Sequence, residues 1–320
     1  MEILEVYKSS NVYNIINKDI QNGMVSHAYL LSCDDYELLT CYSKCLAKQL
    51  LCNSICNVCS NCLKVEHNTH TDVLVYPKDN GNQILSDDIL EIISSSYVSS
   101  GEGYKIFILN NFDKTTTQAQ NKFLKTLEEP PKNVVFILLS TDVKSILKTI
   151  ASRCKLINVK ALSLSELTSV ANTLNITTGI SASDLAKSSR NLTTLVKMVN
   201  SSYYLNLRHD VVSVFTKMKH SKNMLNYIHM LLKYKDNLEV LSELNTVVLD
   251  LLYLKNGNSN ISNAIYISEL QNASEEFSVK MLNLIALKIK ESIEKINSNC
   301  NASLVYDSLL MYILEVKVKC

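Results

Sequence analysis

The chain has no tryptophan, three prolines and six glycines among 320 residues. A β-sandwich needs many tight turns and the Gly and Pro that form them, so this composition argues against one. Nowhere do about 18 apolar residues follow one another, and no membrane span is expected. An excess of either charge is also missing: Lys+Arg number 32 and Asp+Glu 31, a formal net charge of +1. A globally cationic coat for DNA is excluded, although a local basic patch is not. Arginine is scarce, with only Arg153, Arg190 and Arg208. The amino end, MEILEVYKSS, has no basic segment leading into an apolar one and does not read as a secretory signal. A cytoplasmic protein with reduced cysteines is the expectation.

Hydrophobic residues are abundant at 47%. They can build a sizeable core, and wholesale disorder is excluded. The length suits two or three domains. In the first half, short apolar runs alternate with helical patterns: HAYLLS (27–32), DVLVY (72–76), YKIFIL (104–109), VVFILL (134–139) and KLINV (155–159). Runs that are apolar almost throughout suit strands buried on both faces of a parallel sheet, and the intervening lengths suit crossover helices. Thr117 and Gln120 have the spacing of a capping box. Ala119, Phe123, Leu124 and Leu127 then share a helical face, which Pro130 and Pro131 terminate. Ser163 with Glu166 marks another helix start, and Ser181 a further one. From about Tyr203 the pattern is helical throughout. Its apolar stripes are Leu241/Leu244/Val248/Leu251/Leu252, Leu282/Ile285/Ile289/Ile293/Ile296 and Val305/Leu309/Tyr312/Val316. The expected layout is an α/β domain over 1–161, a small helical domain over 162–202 and an all-α bundle over 203–320.

Ten cysteines are present, four of them within one short loop: Cys52-x3-Cys56-x2-Cys59-x2-Cys62. The intervening Asn53, Ser54, Asn57, Ser60 and Asn61 are polar. In a reducing compartment four such thiols read as a tetrahedral zinc site, whose closed shell makes it structural. His67 and His70 lie close by but are superfluous beside four thiolates. Cys52-x3-Cys56-x2-Cys59 is also the spacing with which radical S-adenosylmethionine enzymes hold an iron–sulfur cluster. Those enzymes need Gly-rich cofactor segments, which six glycines poorly supply.

The most informative stretch is YKIFILNNFDKTTTQAQNKFLKTLEEPPKNVVFILLSTD, followed by ILKTIASRC. It resembles the AAA+ ATPase-type core of bacterial replicative clamp-loader subunits of DNA polymerase III. In that family a strand ends in an acidic Walker B element, a helix closes with LLKTLEEPP, the next strand carries a polar sensor, and a later helix ends in Ser-Arg-Cys. The counterparts here are Ile106–Asn110, Phe123–Pro131, Leu138–Thr141 and Ser152–Cys154. The resemblance implies an AAA+-like α/β domain with a zinc module, a small helical lid and a C-terminal collar bundle. The family's first cysteine spacing is usually longer than the x3 found here.

The departures from the pattern concern nucleotide. A phosphate loop, G-x4-G-K-[ST], would follow the first strand, and its backbone N–H groups and Lys would hold phosphate. Here the segment is SCDDYELLTCY. Cys33 and Leu38 occupy the Gly positions and Leu39 the Lys position, while Asp34, Asp35 and Glu37 add negative charge. Asn110 replaces the Walker B acid, and Asp113 is a displaced substitute. No bound ATP is expected. Loss of the phosphate loop together with an intact Ser-Arg-Cys resembles the non-hydrolysing delta-prime type. By that resemblance Arg153 is a trans arginine finger for a neighbouring ATPase subunit, where its planar fork would clamp phosphate oxygens. An isolated Arg otherwise pairs with a surface acid. The implied partners are gamma/tau and delta subunits, with the sliding clamp and primer-template DNA reached through the assembly. The alternative within the family is an ATP-hydrolysing gamma/tau-like subunit. Lys114, Lys122, Lys125, Lys132, Lys144 and Lys148 form a mildly basic face suited to phosphate contact or simple solvation. Arg190 is one residue out of register with a second sensor and is left unassigned. Glu128 and Glu129, adjacent on a helix, diverge and do not form an acid/base pair; they shape the helix end. Cys154 reads as a packing residue.

Overall fold

In the computed structural model the residues described are 3–52, 54–78, 83–98, 103–176, 179–259 and 261–319. The elements of the α/β part are α1 (Ile3–Ser9), α2 (Asn11–Gln21), β1 (Ala28–Ser32), α3 (Tyr36–Leu51), α4 (Ser60–Glu66), β2 (Val73–Tyr76), α5 (Ser86–Ser96), β3 (Lys105–Leu109), α6 (Thr117–Glu128), β4 (Val134–Ser140), α7 (Lys148–Ala151) and β5 (Lys155–Asn158). Helices alone follow: α8 (Leu164–Ala171), α9 (Ala182–Ser189), α10 (Leu192–Asn200), α11 (Ser202–Thr216), α12 (Met224–Leu232), α13 (Asn237–Lys255), α14 (Ile267–Glu276), α15 (Val279–Asn297) and α16 (Ala302–Lys319). Two units separate. One comprises 1–173 with Asn191–Thr193, and the other 174–190 with 194–320. The segment 162–202 is thus shared between them.

The first unit is built on a five-stranded parallel sheet in the order β2-β3-β4-β1-β5. All five strands form where the apolar runs predict them, and β3 and β4 are buried at every position. Leu30, Phe107, Leu109, Phe136 and Leu138 face a core shared with α5, α6 and α7. Phe136 is its centre: Phe107 stacks on it at 5.4 Å and Phe123 meets it edge-on at 5.0 Å. The alternate residues Tyr29, Leu31, Ile106, Ile108, Ile137 and Leu139 are equally buried, and α3 packs against β1 and β4. Because the strands run parallel, the segments that leave β1, β3 and β4 emerge along one edge of the sheet.

Helix starts follow local chemistry. Ser163 and Glu166 close the expected capping box at α8, and Ser181 caps α9. At α6 the expectation shifts by one residue. Thr116, not Thr117, is the N-cap and accepts from the Ala119 N–H. Gln120 forms no capping box, because its buried amide turns away to bond Thr115 O, Ser145 O and Leu147 N–H.

The second unit is a helical assembly whose interior contains the expected stripes. Leu241, Leu244, Val248 and Leu251 of α13, Leu282, Ile285 and Ile289 of α15, and Val305, Leu309 and Val316 of α16 are buried. Leu252, Ile293, Ile296 and Tyr312 are half-buried at the stripe margins. Buried charge is paired here. Arg208 Nε donates to Glu243 Oε2 at 3.1 Å, and Nη1 donates to Ser188 O at 2.6 Å and Ser262 O at 3.2 Å. Glu243 also accepts from Tyr204 Oη at 2.6 Å. Removing one partner of such a buried pair leaves the other uncompensated, a loss of about 3–5 kcal/mol. Arg208→Ala is therefore expected to lower the stability of this unit by that amount in urea unfolding followed by helical circular dichroism. A loss under about 1 kcal/mol would show that water replaces the pair at no great cost.

Candidate functional site

The segment leaving β1 is closed upon itself. Asp35 is the N-cap of α3, and its carboxylate is 1% exposed. Oδ1 accepts from Leu38 N–H at 3.3 Å, from Thr193 N–H at 3.0 Å and from Thr193 Oγ1 at 2.7 Å; Oδ2 accepts from Leu192 N–H at 2.6 Å. Leu192 and Thr193 open α10 and belong to the first unit. Glu37 N–H in turn donates to Thr193 Oγ1. Leu38 and Leu39, which the resemblance aligns with the second Gly and the Lys of a phosphate loop, are fully buried. Cys33 takes the first Gly position; its sulfur accepts from Asp35 N–H, and burial pushes its thiol up to about 11. Burial, reinforced by Asp35, also raises the Glu37 carboxyl. Asp34 is exposed. Among the three acids of this segment, Asp35 alone faces inward with its charge fully bonded.

The segment leaving β3 begins with two amides, Asn110 and Asn111. Asn110 is buried, its N–H pairs with Tyr76 O, and its Oδ1 makes no hydrogen bond. An amide is a poor substitute for a carboxylate toward Mg²⁺. Asp113 is brought to the end of β4 instead, where its Oδ2 accepts from Thr141 Oγ1 at 2.9 Å. Asp113 and Thr141, expected as a substitute acid and as part of the sensor strand, therefore bond to each other.

Arg153 leaves α7 just before β5. Its Nη1 donates to Thr149 O at 2.7 Å and its Nη2 to Glu128 Oε1 at 2.6 Å, with about a third of the side chain exposed. Glu128 is the last residue of α6, ahead of Glu129, Pro130 and Pro131. Sequence reasoning assigned Glu128 only to the helix end and missed this pairing, since nothing in spacing brings residues 25 apart together. Cys154 packs against the core, and burial pushes its thiol up to about 12, which suits packing rather than nucleophilic attack. The six lysines of 114–148 are all exposed. Arg190 belongs to the second unit. Its Nη2 lies 3.4 Å from Oδ1 of the fully buried Asp250, and its guanidinium lies over the Tyr253 ring. Burial raises the Asp250 carboxyl, while Ser262 and Asn263 donors hold it.

The four knuckle cysteines converge. Cys52 ends α3, Cys59 caps α4, and Cys62 sits inside α4. The four Sγ atoms lie within 4.8 Å of one another, and the Cys52–Cys56 pair is 3.8 Å apart. Zinc–sulfur bonds of about 2.3 Å at tetrahedral angles require sulfur–sulfur edges of about 3.8 Å, so the donor set fits. Cys59 N–H points at Cys56 Sγ and Cys62 N–H at Cys59 Sγ, as in a knuckle that turns backbone N–H groups toward thiolates. Backbone N–H donors from Cys56 and Ser54 lower the Cys52 thiol to about 6, whereas burial raises that of Cys62 to about 12. A buried Lys48 fastens the module to α3 by donating to Asn57 Oδ1 at 2.9 Å and Glu66 Oε2 at 2.6 Å. The sequence singled out neither Lys48 nor Glu66. His70 Nδ1 accepts from Asp72 N–H, and neither histidine joins the cysteine group. Asn53 lies outside the described residues.

The chain matches two family models, one described as DNA polymerase III, delta subunit, over residues 8–163, and one as DNA polymerase III, delta subunit, C terminal, over 202–315. It is similar to DNA polymerase III subunit gamma of Buchnera aphidicola subsp. Baizongia pistaciae, 27% identical over 94% of this chain and 85% of that one. It is 28% identical to Escherichia coli subunit tau over 51% of this chain, and 29% identical to Haemophilus influenzae subunit delta′ over 46%. Of those two relatives' own lengths it spans 26% and 47%. A DNA polymerase III gamma-subunit-related protein of Thermotoga maritima superposes over 96% of this chain and all of that one, at 18% identity and a TM-score of 0.48. No described helix is long and apolar enough to cross a membrane. With an AAA+-like parallel-sheet domain, a cysteine knuckle, a Ser-Arg-Cys end and both family models in chain order, this chain belongs to the clamp-loader subunit family of DNA polymerase III, a family of DNA replication proteins.

Proposed function

We propose that the chain is a non-hydrolysing, delta-prime-like subunit of the replicative clamp loader. In this reading it acts in the cytoplasm and supports ATP-dependent loading of the sliding clamp onto primer-template DNA. Its immediate partners are gamma/tau-type and delta-type subunits, and clamp and DNA are met through the assembly. Residues 1–161 act as the AAA+-like domain and 162–202 as the lid, while the helices of 203–320 form a collar that holds the ring. The observation that supports the reading is the closed segment after β1: Asp35 bonds to its own chain at the start of α3, and Leu38 and Leu39, which the resemblance aligns with phosphate-loop positions, are core residues. Asn110, which the resemblance aligns with the Walker B acid, agrees with it, since an amide is a poorer Mg²⁺ ligand than a carboxylate. Arg153 acts in trans. About a third of its side chain is exposed just past α7, where its fork is held by Thr149 and Glu128.

A gamma-like ATPase is the second reading, favoured by the alignment with a gamma subunit along nearly the whole chain. Nucleotide binding separates the two. Calorimetry with millimolar Mg·ATP is expected to detect no site on the isolated chain, and micromolar binding would reverse the assignment.

Arg153→Ala is expected to leave fold and assembly intact and to lower clamp- and DNA-stimulated ATP hydrolysis by the reconstituted complex. An arginine finger is worth roughly 10³–10⁵ at a single GTPase site, and the effect on a ring should be smaller because other interfaces keep their own. Arg153→Lys should also fail, since an ammonium lacks the bidentate fork. Wild-type hydrolysis by Arg153→Ala complexes would leave Arg153 only its Glu128 pairing.

The metal reading is structural zinc on Cys52, Cys56, Cys59 and Cys62, where the ion would supply cross-linking and no open coordination position. Elemental analysis of protein purified without added metal should find one zinc per chain. Iron, with the brown colour of a cluster, would instead support the iron–sulfur alternative.

A further inference from the structure

We propose that Glu128 is a positioning residue for Arg153: it holds the guanidinium fork aimed before a neighbouring subunit brings nucleotide to it. This rests on the reading of Arg153 as a trans finger, and it deepens that reading by naming the group that sets the finger's direction.

Glu128 stands where its own helix does not favour it. It is the last residue of α6, at the negative end of the helix dipole, and Glu129 adds a second negative charge beside it. The pairing with Arg153 Nη2 at 2.6 Å supplies a reason for an acid at that point. Of the two adjacent acids, Glu128 alone pairs with Arg153 among the described residues. Thr126 and Leu127, just before it, are buried, and Pro130 and Pro131 stop the helix just after it. The backbone that carries Glu128 is therefore tied down on both sides.

Helix α7 supplies a second holding point. Thr149 O accepts from Arg153 Nη1 at 2.7 Å and from Ser152 Oγ at 3.1 Å. Ile150, next to Thr149, is buried in the same core as Leu127. Both terminal nitrogens of one planar group are thus held by acceptors rooted in one core. A single acceptor lets the guanidinium swing about one bond; two fix its plane, and the other N–H groups remain for a phosphate oxygen. The Arg153 and Glu128 side chains are 34% and 49% exposed, so the pair contributes direction rather than stability.

The test uses the reconstituted complex with clamp and primer-template DNA, and ATP hydrolysis as the readout. Glu128→Ala removes the acceptor, whereas Glu128→Gln keeps an oxygen at the same reach without the charge. Both chains should assemble and melt within about 2 °C of wild type. Glu128→Ala should lower kcat about 2- to 5-fold at unchanged KM, the range that an exposed pair of this kind can supply. Glu128→Gln should restore most of that loss. In an Arg153→Ala background neither change should alter the rate further, a dependence that a merely structural role would not produce. Glu128→Ala complexes that hydrolyse ATP at the wild-type rate or faster would overturn the inference, as would a loss confined to KM or an equal loss in the Arg153→Ala background. If Arg153→Ala is itself defective in those cases, the finger reading stands. Wild-type hydrolysis by Arg153→Ala complexes would remove the finger reading and this inference with it, so the two failures are told apart.

Discussion

A charge taken out of water must meet its partner inside the protein, and this constraint fixes several of the places where helix ends meet. Desolvating an unpaired carboxylate, ammonium or guanidinium costs several kcal/mol, as much as a large share of a domain's net stability. Asp35, Lys48, Arg208 and Asp250 are all buried, and each gathers bonds from segments distant in sequence. Asp35 ties the start of α3 to Asn191–Thr193, and Lys48 ties the other end of α3 to the knuckle. Helix α3 is thus anchored at both ends by ionic groups, while its apolar residues pack on the sheet between them. Arg208 and Asp250 do the same work in the second unit, where they fasten the carbonyl ends and loops beside α9 and α13. Apolar burial supplies most of the stability in both units, and the buried ions select which helix ends come together.

On the proposed reading, the carboxyl ends of β1 and β3 keep a framework without a nucleotide site. A parallel sheet directs the segments after β1, β3 and β4 to a common edge whatever those segments contain. Along that edge, backbone donors of α3 and α10 are met by Asp35, Leu39 is a core residue, and Asn110 follows β3. Phe107, Phe136 and Phe123 still form the core beneath, so the edge is free to vary without destabilising what supports it.

Much of this was legible in the sequence because it rests on period and composition. Five apolar runs became five strands, Pro130 and Pro131 ended α6, and the Cys52–Cys62 spacing brought four thiols together. What stayed hidden depended on long-range pairing. Asp35 read as one of three repelling acids, and only the fold brings Leu192 and Thr193 to it. Nothing in the sequence marked Lys48, yet it is buried and holds Asn57 and Glu66. Gln120 had the spacing of a cap, but the approach of Ser145 and Leu147 offered it better partners. Periodicity identifies which face of an element is apolar; it carries no information about which distant backbone group a polar side chain will meet.

In the proposed role of Arg153 as a trans finger, its pairing with Glu128 bears on how it would serve a neighbour. An isolated, mobile Arg would lose much side-chain entropy on engaging a phosphate across an interface, roughly 2 kcal/mol for a freely rotating chain. Here Thr149 O and Glu128 Oε1 hold the guanidinium before any partner arrives. Both side chains are substantially exposed, so the ion pair is worth about 0–1 kcal/mol and is easily surrendered. The guanidinium also has five N–H donors, more than these two acceptors consume. It can therefore keep the Thr149 bond as a pivot while exchanging Glu128 for a phosphate oxygen, or hold both at once. Glu128 in this reading orients the fork at small energetic cost, and its position at the end of α6, fixed by two prolines, makes that orientation a property of the rigid sheet domain rather than of the mobile side chain.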